Sequence, residues 1–187
     1  MKKSPIACID FDGVLSRDPY SRYGGLGPAG IALWWGLRKT GIAKRLMRNA
    51  VPDVLAREWL LILKKAGFRI IILTARLEQY RQITEEWLER HCFTYGRLIM
   101  RPAGVSIEDH KLAWAKRSNG CVLMIDDNHQ VCREVANQGD DAPAVIECND
   151  WRIVATVLPA VLTALGYAAG GVVSPRTIKM FAGGRGG

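Results

Sequence analysis

This sequence lacks the cysteine and histidine spacings of a disulfide framework or a Cys/His metal site. Its 187 residues include five cysteines, Cys8, Cys92, Cys121, Cys132 and Cys148. The number is odd and no two are spaced CxxC, which excludes a disulfide framework and a zinc-ribbon site. The three histidines, His91, His110 and His129, do not have the spacing of a metal centre either. No secretory leader is expected from Met1-Lys2-Lys3, which passes straight into Pro5-Ile6-Ala7-Cys8-Ile9 and meets an acid at Asp10, too short an apolar run for a signal peptide. The expectation is an unprocessed chain in a reducing cytoplasm.

Charge is missing from one stretch. Ile153 to Val173 carries none, and its length would just cross a hydrocarbon core of about 30 Å. Pro159, Gly166, Gly170 and Gly171 interrupt it. Ile153, Val154, Val157, Leu158, Val161, Leu162 and Leu165 recur at helical spacing. A final helix docked on a sheet is expected, rather than a membrane span.

The net charge of +8 is unevenly placed. Residues 16–50 hold Arg17, Arg22, Arg38, Lys39, Lys44, Arg45 and Arg48 against Asp18 alone, and the tail adds Arg176, Lys179 and Arg185. The basic character belongs to an insertion and a tail. An apolar content of 49% over this length suits one core and one domain.

Short apolar runs alternate with longer helical patterns, which predicts an α/β fold: a three-layer, Rossmann-like parallel sheet with helices on both faces. Strands are expected at Ile6–Ile9, Arg69–Leu73, Arg97–Met100, Cys121–Ile125 and Ala144–Ile146. Helices are expected at Val54–Ala66, Glu78–His91, Ile107–Arg117, Gln130–Asn137 and Trp151–Leu165, with Gly67 and Gly139 as stop signals. Residues 16–50 break this rhythm with Asp18-Pro19 and Gly24-Gly25-Leu26-Gly27-Pro28, then an expected helix from Ala29 to Asn49. The expected division is a catalytic core of residues 1–15 and 51–170, a small helical cap of residues 16–50 inserted after the first strand, and a flexible tail of residues 171–187 ending Gly183-Gly184-Arg185-Gly186-Gly187.

Ligands of an open parallel sheet bind beyond the carboxyl ends of its strands, and four polar groups stand there. Asp10-Phe11-Asp12-Gly13 follows the first strand, its two carboxylates one residue apart and a glycine allowing a sharp turn. Thr74, followed by Ala75 and Arg76, ends the second; a hydroxyl and a guanidinium suit phosphate oxygens. Lys111 lies near the start of a helical pattern and offers a positive charge. Asp126-Asp127 follows Cys121–Ile125, and carboxylates converging with Asp10 make an oxygen-rich site of the kind Mg²⁺ prefers. The Asp-Asp pair has a second reading, as the cap of the next helix through Asp127 or Asn128.

These motifs, in this order over residues 4–150, resemble the haloacid dehalogenase-like (HAD) hydrolase superfamily. The resemblance implies a phosphoric monoester hydrolase. In it Asp10 attacks phosphorus, Asp12 protonates the leaving oxygen and then activates water, and Thr74 and Lys111 hold the phosphoryl group. It also implies Mg²⁺ bound by the Asp10 side chain, the Asp12 backbone carbonyl, Asp126 and Asp127. Asp12 itself favours phosphate chemistry, since the superfamily's dehalogenases lack this second carboxylate.

Leu73-Thr74-Ala75-Arg76, Thr84–Leu88, Leu98–Pro102, His110-Lys111 and Ile125–Asn128 are similar to the 3′-phosphatase domain of polynucleotide kinase/phosphatase enzymes, although no kinase P-loop is present. That likeness implies a nucleotide or nucleic-acid end as substrate, with Arg76 and Arg101 as further substrate contacts. The basic, aromatic insertion, with Trp34, Trp35, Arg38 and Lys39, can track a polyanion, lie on anionic lipid, or pack Ile31, Trp34, Leu37, Ile42 and Leu46 on the core as a plain cap. Besides a nucleic-acid phosphatase, a small-metabolite phosphatase and a non-catalytic binding module remain as readings.

Overall fold

The computed structural model describes residues 4–17, 41–117 and 120–167. Seven strands appear among them: β1 Ile6–Ile9, β2 Ser16–Arg17, β3 Val51–Pro52, β4 Arg69–Leu77, β5 Arg97–Arg101, β6 Cys121–Asp126 and β7 Ala144–Glu147. The helices are α1 Gly41–Arg48, α2 Val54–Lys65, α3 Arg81–Arg90, α4 Ile107–Arg117, α5 His129–Ala136 and α6 Trp151–Ala164. β5-β4-β1-β6-β7 form one sheet, parallel throughout. All four residues of β1, at its centre, are buried. This is the expected α/β architecture.

The three layers follow from side-chain alternation along buried parallel strands. Ala7, Ile9, Ile70, Ile72, Leu123 and Ile125 join one core with Leu60 and Leu63 of α2, Trp87 and Leu88 of α3, and Val154 and Leu158 of α6. Ile6, Cys8, Ile71, Leu73 and Met124 point the other way, onto Leu112 of α4 and Val131 and Val135 of α5. α2 starts where the Asp53 side chain accepts from Ala56 N, and it stops at Gly67, whose φ of +92° only glycine takes up readily.

The element bounds differ from expectation in instructive places. β4 continues past Leu73 to Leu77 because Thr74 still pairs with Met100 and, after an irregularity, Leu77 pairs with Arg101. The helix expected from Glu78 opens as a 3₁₀ turn, Glu78–Tyr80, before α3, and neither Leu77 nor Tyr80 provides a side-chain cap. α5 begins one residue early because the Asn128 side chain accepts from Val131 N.

The apolar stripe of α6 is narrower than its spacing suggested. Trp151, Val154, Leu158 and Leu162 are buried, whereas Ile153 and Val157 are 59% and 40% exposed. Among the described residues no helix is long and apolar enough to cross a membrane. Leu158→Ala is expected to cost about 2–5 kcal/mol by leaving a cavity, and Val157→Ala to stay within about 0.5 kcal/mol; urea denaturation of the two variants checks the contrast.

Residues 18–40, and with them Ile31, Trp34, Trp35, Leu37, Arg38, Lys39 and most of the expected 29–49 helix, lie outside the described residues, as does the tail from residue 168. Ser16 stands opposite Pro52 and Arg17 opposite Val51 in a two-stranded antiparallel ribbon. α1 buries Ala43 and Met47, with Ile42 exposed instead of inward-facing. Trp87 of α3 donates from its indole N–H to Ala50 O at 2.9 Å, and Arg90 reaches Arg48 O, so α3 anchors the returning chain.

Candidate active site

At the carboxyl end of β1 the chain turns sharply. Leu15 N and Ser16 N both return to Phe11 O, and Gly13 N donates to Ser16 O at 2.9 Å. This turn places Asp10 and Asp12 at one rim of the sheet. Asp126 ends β6, the strand hydrogen-bonded beside β1, and Asp10 N donates to Ile125 O at 2.9 Å. The two carboxylates are therefore neighbours through sheet pairing, although 116 positions separate them in the sequence.

Lys111, carried by α4, joins them. Its Nζ lies 3.0 Å from Asp10 Oδ2 and 2.7 Å from Asp126 Oδ2, and all three side chains are buried. Burial alone would pull the lysine's pKa down, but the charges of Asp10 and Asp126 outweigh it and raise the value above the ordinary range. Lys111 is thus a fixed cation. Burial drives Asp10 the other way, well above the usual carboxylate range; Lys111 offsets part of this, and the charges of Asp126 and Asp127 add to it.

Carboxylate oxygens of Asp10, Asp126 and Asp127 lie within 4.8 Å of one another. Asp127 is pushed up to about 6 by burial and by the Asp126 charge. Asn128 takes the helix cap, so Asp127 is not spent on it. Asp10 Oδ1 is buried without a hydrogen-bond partner, a costly arrangement for a carboxylate in a folded protein. An orphaned buried oxygen, three converging carboxylates and one ammonium that cannot balance them all fit a hard divalent cation.

Gly13 makes this convergence sterically possible. Its φ is +83°, and a Cβ there would fall 1.8 Å from Asp127 Oδ2 and 2.5 Å from Asp127 Cγ. The turn residue of the sequence motif therefore also leaves the space that the Asp127 carboxylate, just after β6, occupies.

Thr74, fully buried in β4, accepts from Arg76 N at 3.1 Å through its hydroxyl. Arg76 itself points at Asp12: Nε lies 2.8 Å from Oδ2 and Nη2 2.7 Å from Oδ1. Arg101 donates to the backbone oxygens of Ala75 and Val105, bracing the loop after β4. His110, next to Lys111, is buried, and burial depresses its pKa below the ordinary value. The structure thus gathers Asp10, Asp126, Asp127 and Lys111 into one cluster and places Asp12 with Arg76 beside it. A cleft of about 950 Å³, lined by Gly13, Arg17, Asp53, Asp127, Asp150 and Arg152 among others, meets this cluster at Asp127.

Sequence reasoning did not find the Asp12–Arg76 pair or the steric role of Gly13. Only the glycine gave a signal, by following two aspartates at a strand end.

The sheet order, with helices packed on both faces, is a Rossmann-like α/β arrangement. No protein-family model and no curated protein matches the sequence. Among solved structures, the chain is similar to one described as "Structure of Pnkp1/Rnl/Hen1 complex", at 20% identity and a TM-score of 0.54, covering 79% of this chain and 47% of that one. A phosphoserine phosphatase in apo form matches at 13% identity and a TM-score of 0.53, covering 82% and 98%. A D,D-heptose 1,7-bisphosphate phosphatase from B. bronchiseptica, complexed with magnesium and phosphate, matches at 12% and 0.52, covering 83% and 98%. The chain thus spans about half the length of the first of these.

Proposed function

We propose that the protein is a Mg²⁺-dependent phosphatase that hydrolyses a phosphate monoester through a phosphorylated Asp10. The observation that carries this reading is the buried, unpartnered Asp10 Oδ1 beside a lysine-braced carboxylate cluster. A purely structural ion-pair network satisfies its oxygens, whereas a nucleophile and metal ligand needs one unsatisfied.

In the first step an Asp10 oxygen forms a bond to phosphorus while the ester P–O bond breaks, and Asp12 gives its proton to the leaving oxygen. In the second, water attacks the same phosphorus, Asp12 takes the water's proton, and the phosphorus bond to Asp10 breaks to release inorganic phosphate. Thr74 and Lys111 hold the transferring group and meet the charge on its oxygens. The Asp10, Asp126 and Asp127 side chains, with the Asp12 backbone carbonyl, would hold Mg²⁺. When bound, the ion neutralises charge so that a phosphate dianion can approach a carboxylate.

The substrate class that best suits the sequence is a nucleotide or nucleic-acid 3′-end, on the likeness of residues 72–134 to the polynucleotide 3′-phosphatase domain and the cationic insertion. Residues 16–50 then serve as the cap that selects it, and Arg101 shapes the rim on which it rests. A small phosphorylated metabolite is the other substrate class, favoured by the likeness to two metabolite phosphatases over nearly their whole length. The five free cysteines, four of them buried, suit a reducing, cytoplasmic setting.

Purified protein assayed with Mg²⁺ against 3′-phosphorylated oligonucleotides, nucleotides, sugar phosphates and aryl phosphates tests the reading. Turnover that EDTA abolishes and Mg²⁺ restores is expected. No turnover of any monoester at millimolar Mg²⁺, or turnover indifferent to EDTA, contradicts it.

A further inference from the structure

We infer that Arg76 is the positioning residue of the acid/base carboxylate, acting through Asp12 and not by gripping the substrate phosphate. The inference rests on the phosphatase reading above and deepens it.

Three contacts fix the guanidinium, which is 1% exposed. Its Nε and Nη2 form a two-pronged fork on the two Asp12 oxygens, at 2.8 and 2.7 Å. Its Nη1 donates to Thr84 Oγ1 at 3.3 Å, and that hydroxyl donates onward to Tyr80 O at 2.9 Å, tying the group to the first turn of α3. Its central carbon lies 3.9 Å from the centre of the Phe11 ring, and Phe11 stands between the two aspartates in sequence. The Phe11 ring in turn meets Trp87 edge-on at 4.8 Å.

A planar fork matched to a planar carboxylate sets both the place and the plane of Asp12. A lysine would fix only a point. The carboxylate must face the leaving oxygen in one step and water in the next, and an aspartate with two free torsions would lose time to rotation. Ser16 Oγ adds a longer contact to Asp12 Oδ1, 3.4 Å. These three donors occupy both lone pairs of Oδ1 and one of Oδ2, so one lone pair of Oδ2 stays open for proton transfer. Three of the five guanidinium N–H groups are committed inside the protein. A phosphate-gripping arginine would instead aim its fork at the cluster around Asp10.

The two roles differ in leaving-group dependence. An alkyl leaving group needs the proton Asp12 supplies, whereas 4-nitrophenolate leaves without it. Arg76→Lys and Arg76→Ala are compared with Asp12→Asn on 4-nitrophenyl phosphate and an alkyl phosphate by kcat/KM, which reports the phosphoryl-transfer step. Arg76→Ala is expected to lose about 100-fold on the alkyl ester and under about 10-fold on the nitrophenyl ester. Arg76→Lys should not rescue it, and the Asp12→Asn/Arg76→Ala double variant should be no slower than Asp12→Asn alone. Thr84→Val, which removes only the lateral tie, should show the same leaving-group dependence more weakly, and it serves if the arginine variants fail to fold. Equal losses on both esters, or losses that multiply with those of Asp12→Asn, overturn the positioning role and leave the phosphatase reading standing. Wild-type protein inert on both esters removes both.

Discussion

Asp10→Asn is expected to lower Mg²⁺-dependent turnover of every phosphomonoester by about four orders of magnitude or more, to the background of the assay. An amide of the same shape cannot form the bond to phosphorus. The fold should not suffer. Burial holds the Asp10 carboxyl well above its ordinary range, which means the ionised side chain destabilises the folded state near neutral pH. Lys111 keeps its shorter contact, 2.7 Å, to Asp126. The variant should therefore melt at or above the wild-type temperature in EDTA. Full turnover in Asp10→Asn would place the chemistry on another group.

Gly13→Ala should also damage activity, less deeply than Asp10→Asn, while sparing most of the stability. A Cβ placed 1.8 Å from Asp127 Oδ2 cannot coexist with that carboxylate where it stands. The neighbour is the end of a side chain and can swing aside, so the fold survives at a cost of about 1–2 kcal/mol for a left-handed alanine. Swinging aside removes Asp127 from Asp10 and Asp126. Activity at limiting Mg²⁺ is expected to fall by about 100-fold or more, with part of the loss recovered at high Mg²⁺. Adding Asp127→Ala to Gly13→Ala should cost nothing further, because both changes remove the same carboxylate. Independent, multiplying effects would show that Gly13 acts only through the turn.

The core of the fold was readable because buried parallel strands and two-faced helices each impose a period on the sequence, and the five runs from Ile6 to Ile146 are bounded by turn residues. Three of the four polar groups stood out for a related reason: Asp10-Phe11-Asp12, Thr74 and Asp126-Asp127 lie at strand ends, where ligands of this architecture bind, whereas Lys111 sits near the start of α4. What stayed hidden were relations between distant residues. Arg76 reads as a substrate contact, and nothing in one sequence joins it to Asp12, 64 positions earlier. The β2–β3 ribbon escaped notice because two-residue strands carry no period. The apolar spacing of α6 overstated its buried face, since Ile153 and Val157 share the pattern but meet solvent. The narrowing follows from packing on α2 and β7, which the helix's own sequence does not record.

Rapid acid quenching of Asp12→Asn protein during turnover of an aryl phosphate, followed by peptide mass spectrometry, tests the central claim most directly. With the nucleophile intact and the activator of water removed, one phosphoryl group should accumulate on the peptide carrying Asp10, labile to hydroxylamine as an acyl phosphate is, and absent when Asp10 is also replaced. A phosphoryl group on another residue, or turnover that proceeds with Asp10 never modified, would contradict it.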